Sequence, residues 1–386
     1  MVYATLINRP ELCPHCEKAE IIIQGYTEAV VKLPPTVECP TRLKLRKQRY
    51  KCKCCGKTFV AKTDIVKKGC QISQSTKQAI ALQATKKISE KDIAARAGVS
   101  HNTVNRIISS YYEGYSVNYH YLPQAMCFDE FKSTKDADGA MSFIYCDAKT
   151  HKILDIVENR RLENLKSYFY RFPIEARRNV KYIVIDIYKP YFSLIKACFP
   201  NAKIIIDKFH IVNNFSMALN KTRIMLMNSR KDLYNKLKNY YKLLLKNRYE
   251  LDGVHYFKCR CFKGMMSQRD IVDYLLDQDS TLKNTYYIYQ ELLIAIKTRD
   301  TQRLQQLSMT STKDISGYMK TALQTLKDNL AYFSNSLLYN YSNGIIEGIN
   351  NKIKVIKRIS FGYRSFFNFR NRILIMCNLI CIKKAA

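Results

Sequence analysis

The chain has 386 residues, with 64 Lys plus Arg against 32 Asp plus Glu, and a formal net charge of +32. That length exceeds one ordinary domain, so several units are expected, and 47% apolar residues are enough for a real core. The positive excess, spread along the whole chain, favours nucleic acid over a membrane surface, since no apolar run approaches about 18 residues and no signal-peptide h-region opens the sequence. A cytoplasmic protein is therefore expected. Its 14 cysteines would be reduced thiols, with those in Cys-x-x-Cys pairs as candidate metal ligands.

Residues 1–70 read as a zinc-ribbon domain. Cys13-Pro14-His15-Cys16 and Cys52-Lys53-Cys54-Cys55-Gly56 form two knuckles, so Cys13, Cys16, Cys52 and Cys55 are the candidate ligands of one structural Zn²⁺ ion. Gly56 permits the tight turn a knuckle needs. The 35 residues between Cys16 and Cys52 imply a long β-ribbon, with Ile21–Ile23 and Leu43–Tyr50 as its strands. Cys39 and Cys54 are spare sulfurs, and His15 sits inside a knuckle where it does not reach the same ion. So small a ribbon buries little surface, which makes the metal its main stabiliser. The cations of Arg42–Lys53 lie along one strand and suit phosphate contacts. The bland alternative is a set of unliganded cytosolic thiols.

Residues 71–118 contain a helix-turn-helix pattern. Ser89 caps a helix through Ala97, Gly98 breaks it, Val99 plugs the core, and Ser100 caps a second helix with His101, Asn102, Thr103, Asn105 and Arg106. Ile93, Val99, Val104 and Ile107 supply the core, and Ala94 and Ala95 allow close approach. In the DNA-binding version the start of the second helix enters the major groove. Ser100, His101, Asn102, Asn105 and Arg106 are then the candidate contacts, Asn102 or Asn105 for adenine and Arg106 for guanine or phosphate. A helical hairpin of this size also occurs as a plain packing unit.

From residue 119 the texture turns to strands. Ala125–Phe131 contains Asp129-Glu130, and Gly139–Lys149 and Ile153–Asn159 continue an antiparallel meander with its turn at Ala148–Lys152. Leu162–Phe172 reads as a helix, Val180–Ile187 as a buried strand with Asp186, Lys189–Phe199 as a helix, and Lys203–Phe209 as a second buried strand with Asp207. Three hairpin strands followed by helix–strand–helix–strand is the order of a ribonuclease-H-like mixed sheet, an α/β fold. Open sheets of this kind hold their chemistry at strand ends, where Asp129 and Asp186 fall.

Residues 213–340 read as a large helical insertion, with periodicity at Leu282, Tyr286, Tyr289, Leu293 and Ile296 and again from Ile315 to Leu330. Residues 341–386 return to the sheet domain, which is thus divided between 119–212 and 341–386. Ser342-Asn343-Gly344 starts a helix there, with a Ser or Asn side chain as its cap. Ile346, Ile349, Ile353 and Ile356 form its apolar stripe. Glu347, Asn351, Lys354 and Arg358 share a neighbouring face, which alone would pass for a solvated surface. The mix of aromatics and cations over Phe361–Arg372 suits either base stacking or core packing.

The order of zinc knuckles, helix-turn-helix, Phe128-Asp129-Glu130-Phe131, Ile185-Asp186-Ile187-Tyr188-Lys189-Pro190-Tyr191, Asp207-Lys208-Phe209-His210 and Ser342-Asn343-Gly344-Ile345-Ile346-Glu347-Gly348 resembles the DDE transposases of bacterial insertion sequences, in particular the ISL-three group. The likeness runs from about Cys13 to the helix beginning near Tyr363. It implies Asp129, Asp186 and Glu347 as the catalytic acids. Asp207 follows a similar apolar strand and competes with Asp186, which is preferred for its Tyr-Lys-Pro-Tyr context; Asp207 and His210 are accessory candidates. It also implies double-stranded DNA, element ends and target, as partner, and a homodimer or higher oligomer on DNA.

Strand transfer breaks and joins phosphodiesters by in-line attack, which two Mg²⁺ (or Mn²⁺) ions about 4 Å apart assist. Three converging carboxylates would take up protons without such cations, and hard oxygen ligands suit Mg²⁺ as thiolates suit Zn²⁺. Two other classes compete with this reading. One is a zinc-ribbon/helix-turn-helix regulator that only binds DNA, and the other is a Mg-dependent nuclease that cuts without joining.

Overall fold

The computed structural model describes residues 1–8, 10–37, 39–112 and 116–377. The first unit is a ribbon in which β2 (Ile21–Thr36) and β3 (Cys39–Cys52) pair antiparallel. β1 (Val2–Leu6) runs parallel to β3, and β4 (Thr58–Val60) pairs with its end. The strands expected at Ile21–Ile23 and Leu43–Tyr50 are thus parts of much longer ones. Alternation explains the length: Val31, Leu43 and Leu45 point inward onto Val66, while the lysines and arginines between them face water.

Three helices follow, α1 (Gln74–Ala84), α2 (Glu90–Ala97) and α3 (His101–Tyr112). The Ser89 hydroxyl accepts from the Asp92 backbone N–H at 3.1 Å, as its position before an acidic first turn predicts. Gly98 ends α2 with φ 60°, and a Cβ there would lie 3.0 Å from the Pro40 side chain. The turn therefore sits directly on the ribbon, where Lys32 also donates to the Gly98 carbonyl.

The central sheet holds β5 (Ala125–Lys132), β6 (Met141–Asp147) and β7 (Ile153–Val157). After α4 (Leu162–Phe169) and α5 (Ile174–Asn179) come β8 (Tyr182–Ile185), α6 (Lys189–Cys198) and β9 (Lys203–Ile206). Its order is β7-β6-β5-β8-β9, with β5, β6 and β7 antiparallel and β5, β8 and β9 parallel. This is the mixed, ribonuclease-H-like sheet. The helix expected over Leu162–Phe172 ends at Phe169, and a second helix that was not expected, α5, opens just after Pro173. The strand expected to reach Phe209 stops at Ile206, because Asp207 caps the helix that follows.

That helix, α7 (Lys208–Ser229), runs straight across the boundary expected at residue 213 and carries Ile211, Phe215 and Leu219 into the insertion's own core. The insertion continues with α8 (Tyr234–Asn239), α9 (Tyr241–Leu245), a short hairpin of β10 (Phe257–Lys258) and β11 (Met265–Met266), α10 (Gln268–Leu276), α11 (Ser280–Thr298), α12 (Thr301–Ser308), α13 (Gly317–Asp328) and α14 (Leu330–Leu338). α14 returns to the sheet along β9: Asn335 donates to the Ile204 carbonyl at 2.8 Å and Ser336 to that of Ile206. α15 (Gly344–Ile359) and α16 (Phe366–Met376) complete the described chain. Residues 378–386, the end of the expected second half of the sheet domain, lie outside the described residues. No described helix is long and apolar enough to cross a membrane.

The period of two along the strands decides what each face meets. Met126, Phe128, Phe143, Tyr145, Ile183 and Ile185 pack against α4 and α6. Ala125, Cys127, Ile144, Cys146, Val184 and Ile205 form the opposite layer with Ile346, Ile349, Ile353 and Ile356 of α15 and Phe369 and Ile373 of α16. The same apolar cluster contains Ile80, Ile93, Val104 and Ile107. The helix-turn-helix is therefore packed on the sheet domain through a common core. Fully buried Arg372 adds donors to the Lys86 and Ile88 carbonyls. Core packing accounts for Phe369, Asn371 and Arg372 of the Phe361–Arg372 segment, while Arg364 and Phe367 are exposed and Phe361 is 96% exposed.

Candidate active site and metal centre

The register of the parallel strands aligns the acids. β5 and β8 pair through Cys127 and Val184, and β8 and β9 through Ile185 and Ile206. Continuing each ladder puts Asp129, inside β5, level with Asp186, and Asp186 level with Asp207, the last two just past the ends of β8 and β9. Ile346 and its partners hold α15 across those ends, so Glu347 on its first turn joins Asp129, Asp186, Asp207 and His210 around one cavity of about 600 Å³.

The five neighbouring acids are held differently. On the far face of β5, Glu130 is fixed by Arg160 and by the Tyr191 hydroxyl at 2.6 Å. Asp207 is 6% exposed, with one oxygen accepting from the Phe209 N–H at 2.8 Å and the other from the Asn343 N–H. Both of its oxygens thus serve the backbone. Asp186, with a third of its side chain exposed (32%), takes the His210 Nε2 at 3.0 Å and the Asn343 amide at 3.4 Å. Asp129 is oriented from two sides, by the Glu130 N–H at 2.8 Å and by the Asn350 Nδ2 at 2.7 Å. Glu347 is exposed to the cavity.

Electrostatics follow this geometry. Burial pushes the Asp129 carboxyl up to about 7 against the pull of the Glu130 N–H, and the Asp186 and Glu130 charges add to the rise. The hydrogen bond to Asp186 raises the His210 imidazole above its usual range. Asp129, Asp186 and Glu347 all line this one cavity. The wall offers a hard cation the carboxylates of Asp129, Asp186 and Glu347, and the buried Asn343 and Asn350 amide oxygens beside them accept no hydrogen bond.

Two contributors were not singled out from the sequence. Asn350 lies three residues after Glu347, on the same side of α15, a spacing that could have marked it. Asn343 was expected to cap α15, yet no side chain caps that helix. Its amide instead donates to the Phe128 carbonyl at 3.1 Å and to Asp186, so the turn ties three sheet-domain segments together.

The knuckle cysteines do converge. The Sγ atoms of Cys13, Cys16, Cys52 and Cys55 all lie within 4.8 Å of one another, with Cys13–Cys55 at 3.8 Å and Cys16–Cys52 at 3.6 Å. Ligands about 2.3 Å from a tetrahedral zinc are about 3.8 Å apart, so the four sulfurs fit one ion. The Cys55 and Cys54 backbone N–H groups hold the Cys52 thiol down to about 6, whereas burial and the neighbouring thiols push Cys16 up to about 12. Gly56 has φ 68°, the turn predicted for it. Cys39 and Cys54 are exposed and outside the cluster.

On α3, the Ser100 hydroxyl accepts from the Thr103 N–H at 3.3 Å, so it is a cap. His101 turns to Glu90 at 3.4 Å, Arg106 leans on Thr103 at 3.3 Å, and Asn102 is exposed. Asn105 lines a second cavity between this helix and the sheet domain.

Comparison with known proteins agrees with this anatomy. Residues 126–373, well over half of the chain, match the model of an ISL3 transposase domain. Residues 61–112 match the helix-turn-helix domain of transposase family ISL3, and residues 9–55 the zinc-finger of transposase IS204/IS1001/IS1096/IS1165. The transposase for insertion sequence element IS1001 of Bordetella parapertussis is 28% identical over 249 residues, 62% of this chain and 57% of that protein. A Lactococcus lactis subsp. lactis protein named an ATP-dependent protease is 41% identical over 110 residues, 28% of this chain and 35% of that protein. The chain thus spans a third to somewhat over half of the curated relatives it matches. On the match that covers its sheet domain, the insertion and α15, the chain belongs to the ISL3 family of transposases.

Proposed function

We propose that the chain is a transposase that binds the terminal inverted repeats of its insertion sequence and catalyses metal-dependent DNA cleavage and strand transfer. The supporting observation is the level alignment of Asp129 and Asp186, facing Glu347 across one cavity, in a member of this family. These three are the proposed catalytic acids. Asp207 is a positioning residue, since the Phe209 and Asn343 N–H groups occupy its oxygens. Two Mg²⁺ or Mn²⁺ ions, held by Asp129, Asp186 and Glu347, would supply charge neutralisation and an activated nucleophile.

The chain's own residues do the rest. Asn350 and the Glu130 N–H fix the Asp129 carboxylate in one orientation, and His210 and Asn343 do the same for Asp186. Lys354 on the cavity wall offers positive charge where the phosphate becomes more anionic in the transition state. The ribbon, closed by one Zn²⁺ on Cys13, Cys16, Cys52 and Cys55, seats the helix-turn-helix through Gly98. Asn102, Asn105 and Arg106 would then contact the repeat, with Ser100 and His101 fixing the start of their helix. Two ends must be paired for strand transfer, so a homodimer on DNA is the proposed assembly, in the bacterial cytoplasm.

The test is an in vitro assay with the element's own ends in Mg²⁺. Glu347→Gln is expected to lose cleavage and joining while binding the ends like the unaltered protein. Joining by Glu347→Gln above a no-enzyme control would refute the proposal.

A further inference from the structure

A second cavity, of about 780 Å³, lies between the recognition helix and the sheet domain. His101 and Asn105 form one wall, Lys135, Arg364 and the turn at Phe361–Gly362 the other. It shares Lys132 and Lys357 with the active-site cavity, so the two adjoin, and taken together they make a trough from α3 to the proposed catalytic acids. Lys91, Lys132, Lys135 and Arg364 are exposed along it. Its acid, Glu90, is held by the Tyr363 hydroxyl at 2.9 Å and by His101. The charge complements a phosphate backbone. Both walls belong to one packed body through the shared apolar cluster and buried Arg372, so the trough is preformed.

Phe361 stands at the rim in a costly way. It follows the last residues of α15 with φ 52°, and Gly362 follows at 94°. Gly362 N–H closes the turn on the Lys357 carbonyl at 2.8 Å. Such left-handed helix ends favour Gly or Asn. Here the position carries a phenyl ring 96% exposed to water, while Tyr363, two residues on, stacks on buried Phe369 at 4.9 Å. The fold makes no use of the Phe361 ring, and it lines a cationic trough that leads to the acids.

We propose that the trough seats the DNA between the recognised repeat and the scissile phosphate, and that Phe361 stacks on a base unpaired from its partner beside the cleavage point. Aromatic stacking on an exposed base is sequence-tolerant and contributes enough per base to change binding or rate roughly tenfold. The inference rests on the transposase reading for the identity of the DNA.

The experiment uses the full chain and a duplex of the inverted repeat flanking its own reading frame, with 2-aminopurine placed singly at each position around the cleavage point. Binding is expected to change the fluorescence sharply at one position. Phe361→Ala is expected to lose that change and about tenfold in cleavage, with its thermal midpoint unmoved, since the ring packs on nothing. Phe361→Trp should restore both, and a mismatch at the reporting position should rescue Phe361→Ala in cleavage. Fluorescence and cleavage by Phe361→Ala equal to those of the unaltered chain would overturn the inference. Binding with the fluorescence change but without cleavage would refute the transposase reading alone. No binding to the repeat would overturn both.

Discussion

The zinc site and the proposed catalytic site of this chain are built on opposite plans. In the ribbon the four sulfurs already stand within 4.8 Å of one another, and the apolar core beside them comprises only Cys13, Ile21, Tyr50, Cys52 and Ala61 with a few partly buried neighbours. In the sheet domain two extensive cores fix the strands and α15, and amide and imidazole hydrogen bonds hold Asp129 and Asp186 at the wall of a cavity. The first centre contributes to the fold and the second is supplied by it. A structural ion needs preassembled, closed ligation, whereas a catalytic one needs room for substrate.

This contrast can be broken most sharply at the paired acids. Asp186→Asn should lose about a thousandfold in cleavage, the scale of removing a key transition-state electrostatic group, with an unchanged thermal midpoint. Asp207→Ala should instead lose stability by about 1–2 kcal/mol, because the α7 cap disappears, as read from denaturant unfolding. Equal profiles for the two variants would erase the distinction drawn here. Cys16→Ser, or zinc chelation, should unfold the ribbon and abolish binding of the repeat while the sheet domain's cooperative unfolding persists; an unaltered Kd would count against a structural ion.

A smaller effect is expected from Asn350→Ala, which frees one oxygen of Asp129: about 10- to 100-fold in cleavage or in Mg²⁺ affinity, measurable by titrating activity with metal. The smallest concerns pH. The folded Asp129 carboxyl, held up to about 7, keeps a proton that the unfolded chain has already released near its ordinary value of 3.8. Between those values the metal-free fold binds more protons than the unfolded chain, so this group's contribution to stability falls as pH rises. Mg²⁺ displaces that proton, so its apparent affinity should rise by up to about tenfold per pH unit below 7. An affinity flat from pH 6 to 8 would show that Asp129 is already ionised.

Much of this was legible because it depends on local pattern. Short apolar runs marked the strands that carry Asp129 and Asp186, and the spacing of the cysteines marked the zinc site. Asp186 and Asp207 could not be separated that way, since each follows a short run rich in isoleucine. What distinguishes them is long-range: the Asn343 N–H, 136 residues away, reaches Asp207 and not Asp186. The helix-turn-helix was readable as a unit, but its common core with α15 and α16 was not, because apolar helix faces do not name their partners. Phe361–Arg372 was balanced between stacking and packing, and the fold divides it, burying Phe369 and Arg372 and leaving Phe361 outside.

The closing helix of the insertion has one more effect. By taking the Ile204 and Ile206 carbonyls with Asn335 and Ser336, α14 seals the β9 border of the sheet against strand addition. A strand from a second copy of the chain therefore cannot extend the sheet along that border, where it would meet a helix instead of free carbonyls.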